Sequence, residues 1–110
     1  MVKYNKDILL YNYVNALCEL KINEISDYLD DCILINLVNS NEVLDKGSYI
    51  ELLIEKLTNK EIKIDRCTPY EANKGLSIIT LDGIKIVSFY EFDSDNKKII
   101  KLDDYWFKIF

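Results

Sequence analysis

GLSIITLDGIKIVSFYEF, residues 75–92, reads as two β-strands joined by a very short turn. Asp82-Gly83 separates two apolar, β-branched runs, the strongest short-range signal for a two-residue hairpin. That turn fixes the register. Leu81 opposes Ile84, Ile79 opposes Ile86 and Ser77 opposes Ser88, all on one face, because directly paired residues project to the same side of a sheet. The other face carries Leu76, Ile78, Val87 and Phe89. Both faces are apolar, whereas a sheet covered by helices on one side only is polar on the other. A second cover is therefore expected. Either a second copy of the chain packs on Leu76, Ile78, Val87 and Phe89 to make a homodimer, or a strong twist hides part of the back face.

Outward from the hairpin, EIKIDRCTPY (61–70) and KIIKLDDYWF (98–107) are further strands, and CILINLV (32–38) is an earlier one. The first half is otherwise helical. Leu10, Tyr13, Leu17 and Leu20 recur at helical spacing between Lys6 and Leu20, with Asn5 as the expected N-cap. Asn23 is expected to cap a short second helix containing Ile25, Tyr28 and Leu29. After a loop, NSNEVLDKG (39–47), Ser48 and Glu51 fit a capping box. The helix it opens would bury Ile50, Leu53, Ile54 and Leu57. The whole reads as a single α+β domain, residues 1–110, with three N-terminal helices packed on a mostly antiparallel sheet.

Composition bounds the function. Of 110 residues, 49% are hydrophobic and 30% charged, which places the chain with ordinary globular proteins. No apolar run reaches the roughly 20 residues of a membrane-spanning helix. MVKYNKD lacks a signal-peptide pattern, so a cytoplasmic location and no membrane association are expected. A net charge of −5 without a basic cluster argues against nucleic acid. Cys18, Cys32 and Cys67 show no CxxC spacing, so reduced and mostly buried thiols are expected, with no disulfide and no metal site. Histidine is absent, which removes Ser-His and Cys-His nucleophilic catalysis. Acid-base chemistry would have to come from Asp, Glu, Tyr, Lys or Cys, and no cofactor is implied.

Within IIKLDDYW (99–106), strand alternation puts Asp104 on one face with Ile100, Leu102 and Trp106. An isolated charge among apolar side chains is costly, so this carboxyl is protonated, paired or wet. Two readings follow. Asp104 is a pocket carboxyl with a raised pKa, fit for proton exchange, or it sits at a wet rim or pairs with a lysine while Trp106 fills the core. Arg66, the only arginine, would clamp a ligand carboxylate or pair with Asp103 or Asp104.

YVNAL (13–17), YLDDC (28–32), GSYIELL (47–53) and FDSDNKKIIKLDDYW (92–106), in this order and spacing, resemble the nuclear transport factor 2-like superfamily, especially its ketosteroid isomerase and SnoaL-like polyketide cyclase branches. The resemblance implies a cone-shaped fold, a pocket between three helices and a curved sheet, and dimerisation through the outer sheet face. Carried over by position, it puts Tyr13 where the isomerases hold an oxyanion-binding tyrosine. Asn36 falls where they hold the catalytic base, and Ser88 where they hold a protonated aspartate. With those two carboxyls replaced, the first expectation is a small-molecule-binding domain. Its pocket would be lined by Tyr13, Leu17, Asn36 and Ser88, together with Tyr90, Asp104 and Trp106, and would take a small apolar or carbonyl-containing compound. The alternatives are an isomerase- or cyclase-type enzyme using Asp104 with Tyr13, polyketide cyclases being similar in relying on one pocket aspartate, and a non-catalytic dimeric interaction module.

Overall fold

The structure is a computed structural model describing residues 6–109. The expected N-cap Asn5 lies outside the described residues. Three helices precede most of the sheet: α1 (Lys6–Glu19), α2 (Ile22–Tyr28) and α3 (Lys46–Leu57). Six strands follow the order β2-β1-β6-β5-β4-β3, with β1 (Leu34–Leu37), β2 (Glu42–Asp45), β3 (Ile62–Tyr70), β4 (Lys74–Leu81), β5 (Ile84–Phe92) and β6 (Ile99–Lys108). Of the five strand pairings, the β1–β6 one is parallel and the other four antiparallel, and an isolated parallel bridge joins Leu29 to Ile99. The expected α+β class and mostly antiparallel sheet therefore hold. So does the hairpin register, with Leu81 opposite Ile84, Ile79 opposite Ile86 and Ser77 opposite Ser88.

The helix ends differ from expectation in instructive ways. Leu20 does not extend the α1 stripe, because it closes the helix with φ of 51°. Its N–H bonds the Leu17 carbonyl while Lys21 N–H reaches back to Ala16, a Schellman closure. That closure feeds directly into α2, so Lys21 occupies the N-cap position with no side-chain capping bond, and Asn23 lies inside the helix instead of capping it. At α3 the cap is Asp45, whose carboxylate accepts the Ser48 N–H at 2.8 Å, and not Ser48. The same bond holds the Asp45 carboxyl below its usual range. With the helix beginning at Lys46, its inward stripe is Tyr49, Leu53 and Leu57, each four residues apart. Ile54 points to solvent and Ile50 is half-buried.

The segment expected to be a loop, NSNEVLDKG, contains a strand. Val38–Ser40 form a 3-10 turn, Asn41 adopts φ of 59°, and β2 returns antiparallel to β1. This strand is a four-residue edge with Val43 59% exposed, so it carries almost no apolar alternation to announce it.

One core cluster fills the space between helices and sheet, including Leu10, Val14, Leu53, Ile79, Phe92 and Leu102. Contact is tight where α1 meets β4 at Gly75. A Cβ on Gly75 would lie 2.9 Å from Leu10 Cδ2 and 3.1 Å from Phe92 Cζ. Two irregularities reset side-chain parity, one between Ile64 and Arg66 and one between Glu91 and Phe92. The second pairs Phe92 with Ile99, so Ile99 is buried and Ile100, expected on the inner face, is 39% exposed. Cys18 and Cys67 are half-buried, Cys32 is exposed contrary to expectation, and all three are free thiols. Burial pushes the Cys67 thiol up to about 11. No described helix is long and apolar enough to cross a membrane.

Candidate functional site

Asp104, Ser88 and Ser77 lie on one rung across β6, β5 and β4, since Asp104 pairs with Ser88 and Ser88 with Ser77. They are the buried polar residues of the inner face. Trp106 opposes Ile86 one rung along, so Ser88 and Trp106 share that face. The sheet thus presents a polar row to the helices, flanked by apolar side chains. Each member must find a partner there, because water does not reach it.

Asp104 is 0% exposed. Its Oδ2 accepts the Tyr49 hydroxyl at 2.5 Å and the Trp106 indole N–H at 3.2 Å, and its Oδ1 accepts the Ser88 hydroxyl at 2.7 Å. Among the described residues no lysine or arginine pairs with it. The wet-rim and lysine-paired readings of Asp104 are therefore corrected: the carboxyl is enclosed and held by neutral donors. Burial raises its pKa, and the three donors oppose that rise without cancelling it.

The tyrosines extend the polar row into the core. Tyr90 hydroxyl lies 2.7 Å from Ser77 Oγ. The Tyr13 ring sits edge-on to Tyr90 at 5.7 Å and to Tyr28 at 6.4 Å. Its hydroxyl is buried without a hydrogen-bond partner, the Tyr49 hydroxyl lying beside it outside hydrogen-bond geometry. Burial drives the Tyr13 and Tyr49 pKa values well above their ordinary value, with nearby Asp104 adding to the rise, so both phenols remain protonated donors. These rings pack around Tyr13. Leu17 is likewise buried in the core.

A cavity of about 230 Å3 opens beside this cluster, bounded by Leu37, Asn39, Ser40, Leu52, Lys56, Asp104 and Trp106. It lies between the β1 end with its 3-10 turn, the outer half of α3, and β6. Of the expected pocket residues, Asp104 and Trp106 border it. Tyr13, Leu17, Ser88 and Tyr90 are buried and do not line it. Asn36 does not join them: it pairs with Asp103 in the parallel register, on the face opposite Asp104, and donates to the Asp103 carboxylate at 2.6 Å. Alternation along β1 turns its neighbours Ile35 and Leu37 inward instead. Arg66 pairs with neither Asp103 nor Asp104. It opposes Ile78 on the outer face and donates to Thr68 at 3.4 Å.

Tyr49 went unrecognised in the sequence. The usable signal was Tyr49, Leu53 and Leu57 at intervals of four, legible once Asp45, not Ser48, is read as the cap. Asn39 is also new: its side-chain amide donates to the Trp106 carbonyl at 3.0 Å, tying the 3-10 turn to β6.

The outer face carries a second aromatic row. Phe89, 37% exposed, meets Tyr105 edge-on at 5.8 Å, and Tyr105 stacks with Phe107 at 6.4 Å. Leu76, Ile78 and Val87 are half-buried on the same side. Among the described residues no group of His, Cys, Asp or Glu could hold a metal ion.

No protein-family model matches this chain, and no curated protein is significantly similar to it. Solved structures do match. A nuclear transport factor 2-like protein of unknown function from Burkholderia xenovorans superposes with a TM-score of 0.77 at 18% identity, over 93% of this chain and 82% of the other. A candidate ketosteroid isomerase from Kribbella flavida gives 0.74 at 14% identity, over 96% and 79%. A candidate SnoaL-like polyketide cyclase from Shewanella denitrificans gives 0.72 at 15% identity, over 93% and 90%. At such identities the likeness speaks for architecture alone, and it accords with three helices on a six-stranded mixed sheet: the chain has the nuclear transport factor 2-like fold.

Proposed function

We propose that this protein is a small-molecule-binding domain of the SnoaL-like type, its ligand seated in the cavity beside Asp104 and Trp106. The observation that carries this reading is the carboxyl itself. A fully buried aspartate with three neutral donors and no cationic partner among the described residues lowers stability, which marks it as a candidate functional group, and here it lies at the back wall of a cavity of about 230 Å3. At roughly 30 Å3 per water molecule, that space equals about eight waters, which suits a compound smaller than a typical drug. Leu37, Leu52 and Trp106 supply apolar walls, and Asn39 and Ser40 supply polar ones. Small apolar or carbonyl-containing compounds fit this lining.

The test is a titration of the 15N-labelled protein with a panel of small carbonyl compounds, neutral and charged. Amide shifts clustering at Leu37, Ser40, Leu52 and Trp106 support the reading. Shifts scattered over the surface, or none with any member of the panel, overturn it.

A second reading, an isomerase- or cyclase-type enzyme, is favoured by the raised Asp104 pKa, because a carboxyl that holds its proton nearer neutrality can exchange it with a substrate. Asp104 would be the acid-base group. Tyr13, protonated and with an unpartnered hydroxyl, would be the donor to a developing oxyanion once the rings around it made room. We also infer a homodimer through the outer sheet face, supported by the aromatic row Phe89, Tyr105 and Phe107 together with Leu76, Ile78 and Val87.

A further inference from the structure

Lys56 stands on the cavity wall one helical turn after Leu52, and residues four apart on a helix share a face. Its other neighbours at three and four residues are Leu53, Asn59 and Lys60, none of them acidic. Six described lysines have an acidic partner: Lys21, Lys46, Lys60, Lys63, Lys74 and Lys85. Lys56 has neither an ion pair nor a side-chain hydrogen bond among the described residues, although acids outnumber bases in the chain by 19 to 14.

Three other side chains around the cavity already use a donor within the protein. The Asn39 amide donates to the Trp106 carbonyl, the Ser40 hydroxyl to the Leu37 carbonyl, and the Trp106 indole N–H to Asp104. The cavity therefore offers a ligand one uncommitted cation above three apolar side chains. That combination is complementary to a molecule with an apolar body and one negative end.

Resting on the pocket reading above, we propose that the cavity selects a small amphipathic carboxylate, its charge held by Lys56 and its aryl or short alkyl body against Leu37, Leu52 and Trp106. The net charge of −5 repels anions at long range, so the selectivity comes from this one ammonium at close range.

Trp106 is the chain's only tryptophan, so its emission reports the cavity without labelling. Benzoate and hexanoate are titrated against their neutral isosteres benzamide and hexanamide, with native protein and Lys56→Gln. The expected result is carboxylate binding at least about fivefold tighter than amide binding, the size of a partly exposed ion pair. In Lys56→Gln that preference should vanish, carboxylate and amide then binding alike. Lys56 is exposed, so the variant keeps its core. Equal affinity for acid and amide in the native protein overturns the anion preference and leaves the pocket standing. A preference that survives Lys56→Gln overturns the assignment of Lys56. If none of the four compounds changes Trp106 emission or the neighbouring amide shifts, the pocket reading itself fails and this inference with it.

Discussion

Tyr49 on α3 and Asp104 on β6, 55 residues apart in sequence, meet through a 2.5 Å hydrogen bond with both side chains buried. The bond joins the helical layer to the inner face of the sheet at its most polar point. Without it, Asp104 would keep two of its three donors in a site closed to water.

Tyr49→Phe should therefore destabilise the fold by about 1 to 2 kcal/mol, the cost of leaving a buried carboxyl short of a partner. The same change removes a donor that lowers the Asp104 pKa, so that pKa should rise further. Urea unfolding measures the first effect. An unchanged midpoint would show that the bond contributes nothing.

Asp104→Asn should change how stability depends on pH. Burial raises the folded-state pKa of Asp104 above the ordinary 3.8, so the folded chain binds this proton more tightly than the unfolded chain does. The stability contributed by the protonated group is whole below about pH 3.8 and is lost as pH rises through the folded-state value. Asparagine does not titrate. The stability of Asp104→Asn relative to the native protein should then improve as pH rises from about 3.8 through the folded-state value and level off above it, as followed by thermal melts. A flat or declining difference would contradict the raised pKa.

Gly75→Ala tests the contact between α1 and β4. The added methyl group meets Leu10 and Phe92, both fully buried, at distances that force repacking. A loss of about 1 to 3 kcal/mol is expected, typical of overpacking a dense core. A neutral outcome in chemical denaturation would mean that the Leu10 side chain moves aside at no cost.

Phe89→Lys addresses the outer face. A charge placed within the aromatic row should prevent two sheets from packing, so the variant should sediment as a monomer and the native protein as a dimer. Equal masses would exclude the sheet face as the interface.

Much of this fold was legible because the strongest local signal was also the topological key. Asp82-Gly83 set the hairpin register, and with it the inward placement of Ser77 and Ser88. What escaped depended on contacts that sequence spacing does not encode. β2 is a four-residue polar edge that exists because the 3-10 turn and Asn41 return the chain to β1. Ile100 faces outward because an irregularity opposite Glu91 and Phe92 shifts parity by one residue. Asn36 faces away from the cavity because the parallel pairing with β6 puts it beside Asp103. The candidate site was legible at Asp104 and Trp106 from strand alternation alone. Its helical side, Tyr49, Leu52 and Lys56, was hidden by placing the α3 cap three residues late.

Asp104 is an enclosed carboxyl whose pKa burial raises, beside a cavity of about 230 Å3. Following the Asp104 side-chain carboxyl by 13C NMR through a pH titration tests it most directly. The expected midpoint lies above 3.8 and moves when a carboxylate or carbonyl compound enters the cavity. A midpoint at or below 3.8, unmoved by any such compound, would mean that water or a cation reaches the group and would contradict it.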